Sequence, residues 1–304
     1  MARVTVGLPV YNAEMHLAEA IECILCQTFN DLEILISDNA SSDDTETICR
    51  HYMNLDKRIR YVRQEQNLGA TENYNYVCRN SESEFFKWQS SNDYCTEDTI
   101  ESCVAVLDEN PDVVLCYPPT KLFERSLDDA TDYDDNMILN GGSPVERFFH
   151  VIDNMKLNNI MNGVIRTHAL RSTPLVREFY HADRNMVAEL ALMGLIVPSV
   201  GSTFYRRMDA ESATQLKSES EVLAHFDPQL KRPLTFTYWR IFFAHLSSLM
   251  RCDIGLKYRL TALPKLIRRL WWDRRILVAD IVTAMRYAVN DLSVMILRSK
   301  KRDP

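Results

Sequence analysis

Asn92 and Asp93 put a side-chain amide and a carboxylate next to each other, just after the apolar run at residues 85–89. Oxygen atoms of these types suit Mg²⁺ and Mn²⁺, ions that usually keep several waters and bridge substrate phosphates. A divalent ion held there would stabilise negative charge on a departing diphosphate. The pair is a weak indication by itself, because Asn-Asp dipeptides are common in loops.

Three earlier residues have the chemistry to hold a nucleoside. The ring of Tyr11 can stack on a base, and Asn12 can cap the helix that follows. The Asp38 carboxylate can accept a hydrogen bond from a ribose hydroxyl or from a base N–H. Each residue also has a simpler interpretation, since Pro9 would stiffen a turn and an Asx turn at Asp38 would only start a helix. Both interpretations stay open on these residues alone.

Alternating strand and helix patterns over the first 120 residues must position these side chains. Short apolar runs predict strands, and apolar residues at helical spacing between them predict helices. The predicted strands are 4–10, 32–37, 59–63, 85–89 and 112–117. The predicted helices are 14–27, 45–52, 70–80 and 96–109. Repeated β-α-β units make right-handed crossovers, which predicts an α/β fold with a mostly parallel, doubly wound sheet flanked by helices.

Ligands of such a sheet bind beyond the carboxyl ends of its strands. The polar residues after the first four strands are therefore predicted to meet on one rim. These residues are Tyr11, Asn12, Asp38, Asn39, 64–69 and 90–93. The sequence has no G-x-G-x-x-G after the first strand and no G-x-x-x-x-G-K-[ST], so neither a dinucleotide site nor a P-loop is supported. A nucleotidyltransferase is disfavoured because the first turn has no glycine-rich phosphate loop with a lysine.

The order, spacing and residue types of these segments resemble the inverting family 2 glycosyltransferases of GT-A fold. The segments that carry the resemblance are 6–12, 18–29, 36–43, 67–69 and 92–93, within residues 3–120. A second stretch, from 163–166 through Asp183 and 188–190 to 204–207, is similar to the acceptor-side half of the family. The resemblance implies a GT-A catalytic domain at 1–215, with a nucleotide-binding half at 1–120 and an acceptor-side half at 121–215.

The resemblance also implies which residues bind the nucleotide-sugar donor. They are Pro9, Tyr11, Asn12, Asp38, Asn67, Gly69 and Asn92. Asp93 would be the carboxylate that holds a magnesium or manganese ion in a D-x-D-like motif. The positions before it are Ser90, Ser91 and Asn92, so the motif keeps a single carboxylate and its metal affinity is expected to be reduced. Asp209 is a further departure, because many relatives carry His after the Arg206-Arg207 pair.

Inversion requires a base that takes the proton from the acceptor hydroxyl while this hydroxyl attacks the anomeric carbon, and a positioned carboxylate contributes typically 10²–10⁴-fold. By its place in the second stretch, Asp183 is the candidate base. Glu189 is the second candidate. Asp183 would also be a suitable N-cap for a helix at 184–193, and the two roles are compatible.

The composition is that of an ordinary globular protein: 304 residues, 46% hydrophobic and 25% charged. Disordered and low-complexity classes are thereby excluded. Eight cysteines are spread mostly through apolar stretches, which predicts reduced thiols, and Cys23 and Cys26 are expected to lie mid-helix with a structural role. The N-terminus leads directly into a strand pattern, and no run reaches the roughly 18 apolar residues of a spanning helix. A cytoplasmic protein is expected.

The charge is divided unevenly along the chain. Residues 231–304 hold sixteen Lys and Arg against five Asp and Glu, whereas residues 1–230 hold 19 against 37. An acidic body argues against nucleic-acid binding. The region 216–304 is predicted to be helical, amphipathic and basic, with tryptophans at one edge, which favours contact with an anionic membrane surface through 231–304. The alternative is a helical bundle packed on the acidic body, and both can hold at once.

Together these patterns predict an inverting glycosyltransferase. It would move a sugar from a nucleotide diphosphate donor, most simply a UDP-sugar, to a hydroxyl of a glycan or lipid-linked acceptor in cell-surface polysaccharide synthesis. The alternative, motivated by the depleted acidic motif around Asp93, is a catalytically silent nucleotide-sugar-binding subunit of a glycan assembly complex.

Overall fold

A computed structural model describes residues 1–179, 181–208 and 236–299, with side chains described up to residue 287. Asp209 and the expected domain boundary at 215/216 lie outside this part of the chain. The described residues form eleven β-strands: β1 Val4–Val10, β2 Leu32–Asp38, β3 Ile59–Arg63, β4 Phe85–Trp88, β5 Tyr94–Cys95, β6 Val113–Tyr117, β7 Thr120–Phe123, β8 Thr131–Tyr133, β9 Val164–Arg166, β10 Leu195–Pro198 and β11 Phe204–Arg207.

The same ranges contain nine α-helices, which flank the strands. They are α1 Leu17–Leu25, α2 Thr45–Leu55, α3 Ala70–Arg79, α4 Thr99–Glu109, α5 Pro144–Asn154, α6 Thr167–Arg171, α7 Ala182–Met193, α8 Thr237–Arg251 and α9 Gly255–Ser299. The predicted alternation of strands and helices over the first 120 residues is confirmed, with ends that differ by a few residues.

Seven strands form the central sheet in the order β10-β6-β9-β4-β1-β2-β3. All of its pairings are parallel except those of β9, which runs antiparallel to both β4 and β6. After β6 the chain enters the sheet again at its carboxyl edge, where Val164 of β9 pairs with Cys116 of β6. Strand β9 therefore runs across the sheet in the opposite direction to its neighbours. The predicted α/β class with a mostly parallel sheet is confirmed. Residues 121–215 contribute β9 and β10 to the same sheet.

A second sheet of four short strands, in the order β5-β11-β7-β8, is built at the carboxyl edge of the first. Its strand β5 follows the loop after β4, and β11 pairs antiparallel with β5 and parallel with β7. Asp93 therefore lies at the junction of the two sheets, immediately before Tyr94. This junction brings a segment from beyond residue 200 into contact with the first 100 residues.

Helices cover both faces of the central sheet and enclose two apolar cores. One core lies under α1, α2 and α4, and the other under α3, α5 and α7 and extends to α8 and α9. Gly7 in β1 shows how closely the second layer packs, because a Cβ atom there would lie 2.6 Å from Phe86 Cζ and 2.7 Å from Val77 Cγ2. The absence of a side chain at this position lets α3 approach the strand.

The cysteines are free thiols, as predicted. Cys23 lies in α1, but Cys26 is the exposed C-cap residue of that helix, so the expectation that both lie mid-helix is wrong for Cys26. The helix ends early because the next residues are bound by the segment before α4. Gln27 Nε2 donates to the Thr96 carbonyl at 2.9 Å, and the Thr28 amide donates to the Glu97 carbonyl at 2.8 Å.

The C-terminal helices α8 and α9 pack on the body of the protein. Leu249, Ala262 and Leu266 join the core that α5 and α7 enclose. Helix α9 continues from Gly255 to Ser299 as one helix, with Pro264 in its interior. The helical character predicted for this region is confirmed. No helix in the described ranges is long and apolar enough to cross a bilayer.

Glu189, the second candidate base, lies on α7 with no exposed surface. Arg251 of α8 donates from Nε to Glu189 Oε1 at 2.8 Å, and the Ser248 hydroxyl donates to Oε2 at 2.8 Å. Both carboxylate oxygens are therefore used to hold α8 against α7. The contacts assign Glu189 a structural role.

Replacing Arg251 by Met leaves the Glu189 carboxylate buried without its cation. Removal of one partner of a buried ion pair costs about 3–5 kcal/mol, and we expect the lower end because the Arg251 side chain is about one-third exposed. Urea unfolding followed by circular dichroism measures the loss. The double variant Glu189→Gln/Arg251→Met should recover part of it, and equal stability of the two variants would contradict the buried-pair account.

His245 on α8 makes stability depend on pH. Burial, the largest cause, and the charges of Arg269, Arg177 and Arg184 together lower its pKa to about 3. The unfolded chain takes up a proton near pH 6.5 and the folded chain does not, so the free energy of unfolding falls with pH below about 6.5, by up to about 1.4 kcal/mol per pH unit. His245→Gln should flatten this slope between pH 6.5 and 4, measured by urea unfolding. Substitution of the exposed His51 by Gln should leave it unchanged.

Candidate active site

The carboxyl ends of β1 to β4 form the predicted rim, and the loops that follow β1, β2 and β3 are bonded to one another. Asn39, just after β2, holds the loop at 67–69: its Nδ2 donates to Asn67 Oδ1 at 2.9 Å, and its Oδ1 accepts from the Leu68 amide at 2.8 Å. Gly69 takes a φ of 86°, which a side chain would disfavour. Asn67 and Gly69 are thus fixed beside the end of β2.

The first loop of the rim is tied to the loop after β2. The Asn12 amide donates to Ser41 Oγ at 2.9 Å, and Asn12 Oδ1 accepts from the Ser42 amide at 2.9 Å. Asn12 therefore does not cap α1, whose N-cap is His16, because its side chain is turned toward the neighbouring loop. Pro9 is buried in β1 opposite Ser37, and Tyr11 is half exposed. The exposed ring of Tyr11 leaves a face free for stacking.

Asp38 is fully buried at the end of β2, and both of its oxygens are engaged. Oδ1 accepts from the Ser41 amide at 2.9 Å, and Oδ2 accepts from Tyr61 Oη and Arg63 Nη1, each at 2.8 Å. Burial and this bond raise the pKa of Tyr61. Since a carboxylate offers about four acceptor positions, one remains on Oδ1. The sequence pattern does not indicate Tyr61 or Arg63. They lie two residues apart in β3, so both side chains are on the same face of the strand.

Asp93 is held at the junction of the two sheets and is 6% exposed. Its Oδ1 accepts from the Arg207 amide at 2.9 Å, and its carbonyl accepts from Gln89 Nε2 at 2.8 Å. Gln89 is in turn bonded to the buried Lys87, whose Nζ donates to Gln89 Oε1 at 2.8 Å. Burial raises the pKa of the Asp93 carboxyl, while the Arg207 amide and the charge of Arg206 act in the opposite direction. The carboxylate is thus rigid, and Oδ2 has no backbone partner among these contacts.

The residues at this junction fit a divalent ion only when a substrate supplies some of its ligands. Within the described ranges no group of three or more His, Cys, Asp or Glu side chains could enclose a metal. Mg²⁺ is commonly bound through one or two carboxylates together with substrate phosphates and waters, so a single carboxylate at Asp93 is a sufficient protein contribution. The carbonyl of Asn92 accepts from Arg207 Nε at 3.2 Å, which fixes the backbone next to Asp93.

Tyr74 of α3 is a site residue that the sequence-based analysis missed. Its hydroxyl is bonded to Ser90 and is close enough to Asp93, Arg206 and Asp183 for each of their charges to act on it. Burial raises the pKa of Tyr74, and the two carboxylates add to the rise. The Tyr74 hydroxyl therefore experiences the charges of the proposed metal carboxylate, a guanidinium and the candidate base. The available signal was its position on the first turns of the helix that follows Gly69.

Asp183 lies in the first turn of α7, where Asn158 Nδ2 donates to its Oδ2 at 3.0 Å. The helix begins at Ala182 with His181 as its N-cap, so the expected capping role of Asp183 is wrong and its carboxylate is available for other contacts. The side chain is partly exposed. Asp183 is the partly exposed carboxylate of this centre, in contrast to the buried Asp93.

Arg206 of β11 is fixed by a second asparagine. Its Nη1 donates to Asn159 Oδ1 at 2.6 Å, and Asn159 Nδ2 donates to Asp135 Oδ1 at 2.8 Å. Burial raises the pKa of the Asp135 carboxyl. The adjacent residues Asn158 and Asn159 thereby hold Asp183 and Arg206 on the same side of the cleft. The arrangement combines a partly exposed carboxylate with a fixed guanidinium.

Comparison with known proteins identifies relatives of this chain. The family model described as "Glycosyl transferase family 2" matches residues 5–178. The chain is 33% identical over 113 residues to glycosyltransferase GlyG of Streptococcus pneumoniae serotype 4, across 37% of this chain and 38% of GlyG. It is 31% identical over 109 residues to the minor teichoic acid biosynthesis protein GgaB of Bacillus subtilis, across 35% of this chain and 12% of GgaB. Each match spans less than two fifths of the curated relative.

Solved structures with low sequence identity share the fold. S. aureus TarS 1–349 in complex with UDP-GlcNAc matches with a TM-score of 0.63 at 16% identity, over 88% of this chain and 72% of that chain. The mannosyltransferase PcManGT from Pyrobaculum calidifontis, in complex with GDP-Man and Mn²⁺, matches with a TM-score of 0.54 at 15% identity, over 95% and 81% of the two chains. The predicted GT-A fold, with its helical C-terminal part, is confirmed.

Asn39→Ala should release the loop at 67–69 while the rest of the fold is kept. The Leu68 amide loses its acceptor, and a hydrogen bond of about 1.4 kcal/mol corresponds to roughly tenfold faster exchange. Hydrogen–deuterium exchange with mass spectrometry measures this on the peptide that covers 64–70. As a matched control, Asn30→Ala removes an exposed amide that bonds only to the Thr28 carbonyl. Unchanged exchange at 64–70 in Asn39→Ala would count against the clamp.

Proposed function

The chain belongs to glycosyl transferase family 2, and from this premise we propose that it transfers a sugar, with inversion, from a UDP-sugar to a hydroxyl of a glycan or lipid-linked acceptor. The observation that carries the proposal is a series of hydrogen bonds that connects the three charged side chains. The Arg207 amide binds Asp93, the adjacent Arg206 binds Asn159, and the adjacent Asn158 binds Asp183. Such a centre can receive a diphosphate on one side and a nucleophile on the other.

The donor would bind on the rim of the central sheet. Its nucleoside is assigned to the residues that follow β1, β2 and β3, and Asn92 would contact the donor near its diphosphate. The nucleoside residues are Pro9, Tyr11, Asn12, Asp38, Asn67 and Gly69. Their support is the bonded set of loops at the carboxyl edge, where Tyr11 offers a stacking face and Asp38 keeps one acceptor position. Residues 1–120 would thus serve the donor, and residues 121–215 the acceptor.

Asp183 would act as the general base. The acceptor oxygen forms a bond to the anomeric carbon while the bond from that carbon to the diphosphate oxygen breaks. The hydroxyl proton passes to the Asp183 carboxylate, and the nucleoside diphosphate leaves. Asn158 orients this carboxylate through its bond to Oδ2, and the partial exposure of Asp183 leaves room for an acceptor.

Charge that develops on the leaving diphosphate needs fixed positive partners. Arg206 is such a partner, because Asn159 holds its guanidinium beside the centre before any substrate binds. A magnesium or manganese ion bound at Asp93 would supply Lewis-acid stabilisation of the same charge. With only one carboxylate in the motif, we expect the ion to bind together with the donor.

The name of one relative supports a role of this activity in the assembly of cell-surface polymers. GgaB is named for minor teichoic acid biosynthesis, which supports an acceptor in cell-surface polysaccharide synthesis. Attachment of residues 231–304 to an anionic membrane would bring the enzyme to a lipid-linked acceptor at the cytoplasmic face. The second candidate function is a nucleotide-sugar-binding subunit without turnover. It is motivated by Ser90, Ser91 and Asn92 in the positions before Asp93.

Asp183→Asn should abolish turnover while donor binding stays intact. The amide cannot accept the proton, so the rate of UDP release from UDP-sugars with Mn²⁺ should fall at least 100-fold. Calorimetric titration with UDP, with and without Mn²⁺, should give the wild-type affinity. Asp129→Asn, at an exposed carboxylate far along the chain, is the matched control. An active, folded Asp183→Asn variant would refute the base, and UDP binding without turnover by the wild type would favour the silent subunit.

A further inference from the structure

Helix α9 presents a continuous apolar face that nothing in the described chain covers. Its side chains recur at intervals of three, four and seven residues, which places them on one side of a helix. Four of them, Leu260, Ile267, Trp271 and Val278, are 59%, 62%, 66% and 58% exposed. We name the whole set the outward apolar face: Leu256, Leu260, Ile267, Trp271, Val278, Val282 and Met285. At 1.5 Å per residue, the face extends over about 45 Å.

A row of basic side chains runs along one border of this face. Lys257, Arg268, Arg275 and Arg286 are all exposed and are separated by eleven, seven and eleven residues. These separations are close to three, two and three helical turns, so the four side chains form one line. We name this line the basic row. The helix thus pairs an apolar face with a cationic border, both directed away from the body.

Contacts on the opposite side of α9 fix its orientation. Ala262, Leu266 and Leu277 are buried against the body, and Asp280 Oδ2 accepts from the Tyr238 amide at the start of α8 at 2.9 Å. Arg269 forms an ion pair with Asp153 of α5. These contacts leave the outward apolar face and the basic row as the side of the helix that points to solvent.

The charge on the outward side has a single sign. Between residues 255 and 287 the acidic side chains are Asp273 and Asp280, and both lie on the packed side, where Asp273 pairs with Arg269. No acidic side chain in that described segment faces outward. The region 231–304 as a whole carries sixteen basic residues against five acidic ones, while residues 1–230 carry an acidic excess.

We infer that the outward apolar face and the basic row bind the surface of an anionic lipid bilayer, with α9 lying in the plane of the interface. Apolar side chains enter the boundary of the acyl region, and the basic row meets the headgroup phosphates. This surface is the one through which the membrane attachment of the proposed function would occur. The inference rests on the proposed function only for the purpose of that attachment, which is access to a lipid-linked acceptor.

Two tryptophans support a lipid surface as the partner. The guanidinium of Arg274 lies 4.5 Å from the centre of the Trp271 ring, and that of Arg268 lies 4.7 Å from the Trp272 ring. Such pairs place an apolar ring beside a cation. This combination suits the headgroup region of a bilayer, where apolar and charged groups lie close together. The acidic body is repelled by the same surface, so only one orientation of the molecule brings α9 to the lipid.

A second copy of the chain is the alternative occupant. Pairing two outward apolar faces would bring two basic rows into one interface, with no outward acidic side chain between residues 255 and 287 to neutralise them. Like charges at close range oppose such an association. An anionic lipid surface neutralises the basic row without this penalty, and the observations therefore favour it.

Co-sedimentation of the full chain with vesicles tests the inference. Vesicles of phosphatidylcholine with 30% phosphatidylglycerol should bind the protein at least tenfold more tightly than phosphatidylcholine alone. Replacing the four residues of the basic row by Gln should reduce this binding at least 100-fold. Ile267→Ser/Val278→Ser should also reduce binding, because it removes apolar area. The matched control changes four exposed basic residues of the body to Gln: Lys57, Arg60, Arg79 and Arg125.

Two further measurements keep the outcomes distinct. UDP release is measured for every variant, so vesicle binding without turnover would count against the proposed function and leave the membrane surface standing. Turnover without vesicle binding would overturn the membrane surface alone. Sedimentation velocity detects self-association. A dimer that Ile267→Ser/Val278→Ser dissociates, in a protein that ignores anionic vesicles, would assign the face to a second copy.

Discussion

The proposed donor site at the carboxyl edge of the central sheet depends on the fully buried carboxylate of Asp38. Its two oxygens bind Ser41 in the loop after β2, and Tyr61 and Arg63 at the end of β3. Ser41 in turn accepts from the amide of Asn12 after β1. One carboxylate therefore links the ends of three strands. A side chain without acceptor atoms at this position would leave the Ser41 amide, the Tyr61 hydroxyl and the Arg63 guanidinium without this acceptor. The geometry offered to a nucleoside is a consequence of this linkage.

A second constraint on the site comes from strand β11, a much later part of the sequence. Strand β11 pairs with β5, and the Arg207 amide of β11 binds the carboxylate of Asp93 directly. The same strand carries Arg206, which binds Asn159, and the adjacent Asn158 binds Asp183 of α7. The centre is thus assembled from four separate segments, and each segment is held by packing or backbone pairing before it presents a side chain. Preorganisation of this kind is what transition-state charge requires.

The sequence was informative where a residue type and its strand position coincide. Asp38 and Asp93 follow apolar runs, so the edge on which they lie could be predicted from the parallel topology alone. Tyr61 and Tyr74 could not, because an aromatic residue in an edge strand or in a helix is as common in a core as in a site. The direction of β9 could not be predicted either, since the three residues Val164–Arg166 carry no information about which edge of the sheet the chain comes from.

The C-terminal helices have a structural consequence for the catalytic centre beyond any contact with lipid. Helix α7 carries Asp183 in its first turn and Glu189 six residues later, about 9 Å along the axis. Glu189 is bound by Arg251 and Ser248 of α8, and α8 is fixed to α9 through Tyr238 and Asp280. The helix that presents the proposed base is therefore supported by the helix that presents the outward apolar face. Because interiors are close-packed, the position of α7 depends on its packing against α8 and, through α8, on α9.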